Sequence, residues 1–331
     1  MSHSNSSLNT FSNCMKMYEL IYIQHKEPSE VSPHLTFGTM AHDCLYRAGQ
    51  LRDAAADGVI GPGEYVKVIP SEVECAELKQ IFKIRSWTRY FTQVIRQVAI
   101  YEKELTKQIL EDSPGEDLQV FREHKVQMPV ERLKLMGYNV DQPLVGVIDL
   151  LLLTKTHAYI IDYKFSTKRK DQDDFDLNSQ LPLYAFFVHL LYDIPLHNIK
   201  YGYIDIPKQE FDMPLVLNNG TLSRSKSQNC SQELYEQAVE AIHEDDPVYN
   251  CKPGGYYHEA WCAMALNKAA YLSMQWLDFD VYASVVDDLL DTAKMIDYMS
   301  RNKMKFLRKY DSYSCASCKY KKDCKTYLQI W

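Results

Sequence analysis

Leu144 to Leu153 reads LVGVIDLLLL, and His157 to Phe165 reads HAYIIDYKF. Near-continuous apolar runs of this length read as strands. Thr154-Lys155-Thr156 between them suits a tight hairpin. Each run is interrupted by charge: Asp149 in the first, Asp162 and Lys164 in the second. A carboxylate among such neighbours is expensive to bury unless it is paired or binds a metal. Asp162 and Lys164 are two residues apart, so their side chains leave the same face of a strand. If the hairpin pairs the two strands, Asp149 comes close to Asp162. Two adjacent carboxylates repel, a divalent cation relieves the repulsion, and oxygen ligands favour Mg²⁺ or Mn²⁺. The bland alternative is a simple Asp–Lys salt bridge at a strand end, and D-x-K alone would be read that way.

Working outward, residues 118–129 alternate apolar and polar side chains as a half-buried strand does. A helix over 177–191, a strand over 200–206 and a further strand over 211–217 follow the hairpin. Before them, helices are expected over 7–25, over 35–51 with Gly38 leaving room for close packing, and as a pair over 71–110. Residues 57–63 and 218–231 read as loops, and the chain from 232 onward reads as mostly helical. The expectation is an α/β fold, a mixed sheet flanked by helices. An N-terminal helical region covers 1–117, a sheet-and-helix core 118–217 and a helical C-terminal region 218–331, together one compact domain.

Further polar residues frame the hairpin. Gly38 and His42 form G-x-x-x-H on a helix, Gly146 and Asp149 form G-x-x-D, and Gln180 and Tyr184 share one helical face at i and i+4. In this order with D-x-K, these short motifs resemble the RecB-like branch of the PD-(D/E)xK nuclease superfamily, over nearly the whole chain from Leu8 to Cys324. The resemblance implies that His42, Asp149 and Asp162 are metal ligands together with the backbone carbonyl of Tyr163. It implies that Lys164 is the catalytic lysine and that Gln180 and Tyr184 position the nucleic acid or the lysine. Glu123 falls where the family often has an acidic residue on the first core strand.

Cys315, Cys318 and Cys324 form C-x₂-C-x₅-C, a strong metal signal that lacks a fourth ligand. Cys14 is the best candidate. The nuclease modules of AddAB-type helicase–nucleases and the CRISPR adaptation nucleases carry one N-terminal and three C-terminal cysteines on a [4Fe–4S] cluster, and the spacing here is similar. The competing reading is a Cys₄ zinc site, for which so distant a fourth ligand is unusual. Cys44, Cys75, Cys230, Cys251 and Cys262 have no comparable spacing and read as small hydrophobes.

The 331 residues are 46% hydrophobic and 24% charged, which excludes collagen-like and broadly disordered classes. No apolar run is long enough to span a bilayer, and the polar start lacks the pattern of a signal peptide. An intracellular, cytoplasmic protein with reduced or metal-bound cysteines is therefore expected. A net charge of −7 argues against non-specific coating of nucleic acid but not against a local basic groove. Residues 301–325 carry nine Lys/Arg against two Asp, whereas residues 232–299 carry thirteen Asp/Glu against three Lys. Lys168-Arg169-Lys170 and the basic segment around the cysteines are candidate phosphate contacts. Arg85, Trp87, Arg89 and Tyr90 suit a single-strand path, although a core-plus-surface helix face explains them as well and is preferred.

The resemblance implies a Mg²⁺- or Mn²⁺-dependent deoxyribonuclease, an exonuclease on single-stranded DNA or DNA ends, serving recombination, repair or phage replication. G-x-x-x-x-G-K-[ST] is absent, so any helicase or recombination partner is a separate chain. The rival readings are a catalytically inactive DNA-binding or scaffold protein of the same fold, and a zinc-ribbon interaction protein that would leave the buried acids unexplained.

Overall fold

The computed structural model describes residues 2–28, 32–55, 67–73, 75–82, 84–166, 179–208, 210, 213–228, 230, 232–243, 248–265, 273–276, 282–309, 315 and 318–326. In chain order the first elements are β1 (His3–Ser4), α1 (Asn5–Asn13), α2 (Met15–Tyr18), α3 (Pro33–Ala54), α4 (Ala76–Phe82) and α5 (Trp87–Asp112). The middle of the chain forms β2 (Gln119–Met128), α6 (Val130–Leu135), β3 (Leu144–Leu153), β4 (Ala158–Ser166), α7 (Gln180–Tyr192) and β5 (Ile199–Pro207). The last elements are α8 (Gln232–His243), α9 (His258–Ala265), β6 (Ser273–Trp276), α10 (Tyr282–Arg301) and α11 (Lys321–Thr326).

The strands make one mixed sheet. β2 runs antiparallel to the whole of β3, β4 pairs antiparallel with β3 and parallel with β5, and β6 closes the far edge of β5. Alternating side chains of β4 and β5 enter two different cores, which is why these strands are apolar at nearly every position. Ala158 and Ile160 join the helices α1, α7 and α10 on one side. Tyr159, Ile161 and Tyr163 join α3, α4 and α5 on the other. A third, smaller core gathers Leu222, Tyr235, Val239, Tyr257 and Met264 away from the sheet.

Several elements depart from the sequence reading. The helix expected over 7–25 is broken at Cys14, whose backbone is extended (φ −161°, ψ 106°), and α2 then passes into a π-helical turn over Glu19–Ile23. Among the described residues, a methyl on Gly38 would meet nothing within 4 Å, so the close packing expected there is not seen among them. Of the strand expected over 211–217, the described residues show only a bridge from Val216 to Leu222. β6 was not expected in a region read as helical. Nor was β1, which is only two residues long and pairs in parallel with Leu144 and Val145. The loop expected over 57–63 lies outside the described residues.

Candidate active site

The ladder between β3 and β4 runs from Leu153–Ala158 to Leu150–Ile161 and stops there. At the next position, where Asp149 would oppose Asp162, the carboxylate of Asp149 takes over: its Oδ2 accepts the Tyr163 backbone N–H at 2.7 Å. The strands thus part at the two aspartates. β2 keeps one edge of β3 throughout, while β1 takes the distal part of the edge that β4 leaves.

The same level of the sheet carries a second irregularity. β2 and β3 pair in one register on both sides of Glu123 and Asp149, yet these two residues are skipped. Glu123 has φ +47°, a left-handed conformation that strains a side chain with a Cβ. Ile148 and Leu144 face the α7 core, but Leu150 and Leu152, at the same alternation, face the α3 core. In β2, Phe121 packs with the α7 core and so do Val126 and Met128. Both strands therefore turn over at this level, which brings Glu123 and Asp149 out beside α3.

His42 meets them there. It sits on α3 next to Ala41, in the helix whose Phe37, Ala41, Cys44, Leu45 and Ala48 are core-facing. Its Nδ1 lies 3.3 Å from Asp149 Oδ2 and 3.9 Å from Glu123 Oε1. One ligand atom from each of the three residues lies within 4.8 Å of the others. Two hard carboxylates and an imidazole suit a divalent cation. Burial and the Asp149 charge push the Glu123 carboxyl above its usual range. Burial works against a charged His42, but Asp149, Asp162 and Glu123 outweigh it and its pKa rises. In both shifts the neighbouring carboxylates contribute negative charge that a cation would offset.

Asp162 and Lys164 leave β4 toward α7, on the opposite side of the sheet. Lys164 Nζ is 2.6 Å from Asp162 Oδ2. This buried carboxylate is thus held in an ion pair with the lysine. Burial raises the Asp162 pKa, Lys164 opposes that and Asp149 reinforces it. Burial would neutralise Lys164, yet Asp162 and Asp149 reverse the effect and hold it protonated. The lysine donates to Gln180 Oε1 at 2.9 Å, and Gln180 Nε2 donates to the Tyr184 hydroxyl at 2.9 Å. Gly146 makes room for this: a Cβ there would lie 2.6 Å from Tyr184 Cε1 and 3.2 Å from Phe187 Cε2.

The structure thus assembles two half-sites across the gap between β3 and β4. His42, Glu123 and Asp149 converge on the α3 side, and Asp162, Lys164, Gln180 and Tyr184 form a chain on the α7 side. Asp162 does not join the first group but acts on His42 electrostatically. Beneath them lies an ionic network that the sequence reading passed over. Glu102 binds Arg52 at 2.8 Å, Arg122 at 2.7 Å and the Tyr163 hydroxyl at 2.7 Å, and Arg122 also holds Asp53. The available signal was charge at core-facing helical positions: Glu102 continues the Val94–Val98 stripe and Arg52 the Cys44–Ala48 stripe. Asp205, 3% exposed and opposite Lys164 in the β4–β5 register, was missed too.

A family model described as the PD-(D/E)XK nuclease superfamily matches residues 2–325. The chain belongs to the PD-(D/E)XK nuclease superfamily. Nucleases of this superfamily act on nucleic acid with divalent metals, and His42, Glu123 and Asp149 are a group that could hold one. No curated protein sequence matches it significantly. Among solved structures, it is similar to a "Putative exonuclease" from Eubacterium rectale, at 10% identity and a TM-score of 0.35, covering 96% of this chain and 93% of that one.

The cysteines of the nuclease divide as follows. Cys44, Cys75, Cys230 and Cys251 are buried, as small hydrophobes are. Contacts between the two ends of the chain carry Cys14 toward the C-terminal cysteines. The Lys16 N–H donates to Leu307 O, Phe306 packs on Phe11 and Tyr18, and Lys26 pairs with Asp323 at 2.7 Å. Burial raises the Cys324 pKa; Arg308 opposes this, and Cys14 and Cys318 add to it. Cys315 is exposed, and its Sγ donates to Lys309 O. Trp87 and Tyr90 are fully buried, and Arg85 and Arg89 pair with Glu210, which is the core-plus-surface arrangement. Lys168-Arg169-Lys170 lies outside the described residues. No described helix is long and apolar enough to cross a membrane.

Proposed function

We propose that this nuclease hydrolyses DNA phosphodiesters with Mg²⁺ or Mn²⁺, acting as an exonuclease on single strands or ends in recombination, repair or phage replication. The observation that carries the reading is the convergence of His42, Glu123 and Asp149 opposite the Asp162–Lys164–Gln180–Tyr184 chain. In this reading one metal would draw on both half-sites: His42, Asp149 and the Tyr163 carbonyl hold it with Glu123 as a further carboxylate, and Asp162 joins from across the gap when the ion is bound. The bound ion supplies Lewis acidity and lowers the pKa of water. Lys164, kept charged by its two aspartates, presents an ammonium to the non-bridging oxygens where negative charge grows during attack. Gln180 fixes the lysine by accepting a hydrogen bond from its ammonium, and Tyr184 fixes Gln180 in turn.

Digestion of end-labelled single- and double-stranded DNA with the metal varied tests the proposal. Asp149→Ala and Lys164→Ala should each lower the rate by at least about 10²-fold, the scale of one electrostatic stabiliser. Cleavage that survives both changes removes the assignment. Binding without cleavage under any metal would leave a catalytically inactive DNA-binding protein.

The second part of the proposal is a [4Fe–4S] cluster on Cys14, Cys315, Cys318 and Cys324, with zinc as the alternative. The meeting of the two chain ends supports it. Iron and acid-labile sulfide in the purified protein should be found together; zinc in their place decides for the alternative.

A further inference from the structure

Two cavities flank the half-sites. One, of about 550 Å³, lies between the β2–β3 edge and the first turn of α1, with Ser4, Asn5 and Ser6 on one wall and Gln180 and Tyr184 at its base. The other, of about 510 Å³, lies between α3 and β2 and contains Glu123. Lys125 lines both.

Val126 and Met128 point into the α7 core, so Lys125 points the other way, toward the side that holds His42 and Glu123. It opposes Val147, two residues before Asp149 on β3. Lys125 therefore stands one strand repeat, about 7 Å, from the carboxylates along the sheet. It is exposed and makes no ion pair among the described residues. Three carboxylates repel an incoming polyanion, and a solvated ammonium one repeat away offsets that repulsion where a chain passes from one cavity to the other.

We infer that Lys125 binds a backbone phosphate next to the scissile one, and that the substrate is a single nucleic-acid strand lying through both cavities across β2. The inference rests on the nuclease reading for the word scissile but not for the binding itself.

Binding of a fluorescein-labelled oligothymidylate to the full-length protein, without added Mg²⁺ or Mn²⁺, is measured by anisotropy at several salt concentrations. Lys125→Gln should lower the slope of log K against log salt by about 0.7, the loss of one phosphate contact on a single strand. Lys125→Arg should restore the slope, and Lys134→Gln, an exposed lysine on α6, should leave it unchanged. With DNA cleavage as a second readout, Lys125→Gln should raise KM more than it lowers kcat. An unchanged slope and KM in an otherwise active Lys125→Gln enzyme overturns the inference and leaves the nuclease reading intact. The expected slope change in a protein that never cleaves does the reverse. Failure of the wild-type protein to bind the oligonucleotide at any salt also overturns the inference.

Discussion

Gly146 shows how much one residue can hold in place. It has an ordinary backbone conformation, so its role is not turn formation but the absence of a side chain under Tyr184 and Phe187. Tyr184 is 5% exposed and Phe187 fully buried, so neither ring can swing into solvent. A methyl at 146 must therefore displace the rings, and overpacking of this kind costs about 1–3 kcal/mol. The displacement passes through Gln180 to Lys164 by the two 2.9 Å hydrogen bonds. Gly146→Ala should lower the melting temperature modestly and kcat disproportionately. Gly49→Ala, whose Cβ would strike the Arg122 side chain on the other side of the sheet, gives a comparison. A Gly146→Ala enzyme with wild-type kcat would mean that Tyr184 does not position the lysine.

At the scale of elements, the network under the site ties β2, β4, α3 and α5 together through Glu102. Burial would raise the pKa of this carboxyl, but Arg122 and Arg52 outweigh it and hold it below the ordinary range. A depressed folded-state pKa adds stability above the unfolded value, near 4.3 for Glu, and that stability is lost as pH falls through and below it. Glu102→Gln should therefore destabilise the protein by roughly 3–5 kcal/mol at neutral pH, since two buried guanidinium groups lose their shared partner. Its stability should also fall less steeply than that of the wild type below about pH 4. Chemical denaturation across that pH range reads both effects, and parallel curves would show that Glu102 is not the titrating link. The signal for this network was weak, because each charge sits singly in an otherwise apolar stripe. β3, β4 and the hairpin were legible because two cores demand apolar residues on both faces of those strands. The turn-over at Glu123 and Asp149 was not, because a left-handed glutamate has no sequence signature. That is why the sequence could place Asp149 near Asp162 across the hairpin but not show that they stand in separate half-sites on either side of the gap. β6 escaped for another reason: a four-residue edge strand within a helix-rich stretch leaves too short a period to detect.

At the scale of the whole molecule, the first and last segments are built into the same structure as the site. His3 pairs with Leu144 in the sheet, and its ring, 1% exposed, bonds Asp297 of α10 at 2.9 Å. Phe11 and Tyr18 stack around Phe306, and the helix break at Cys14 falls between them. A metal cluster joining Cys14 to Cys318 and Cys324 would close a loop of nearly the whole chain, which in the chain-entropy model stabilises the fold by on the order of 5 kcal/mol. Cys14→Ser and Cys318→Ser should each lose iron and lower the melting temperature by similar amounts. The double variant should be little worse than either, because both changes open the same loop. Additive losses, or a Cys14→Ser protein with full iron content, would show that the ends are held by side-chain packing alone and that the cysteines serve no common group.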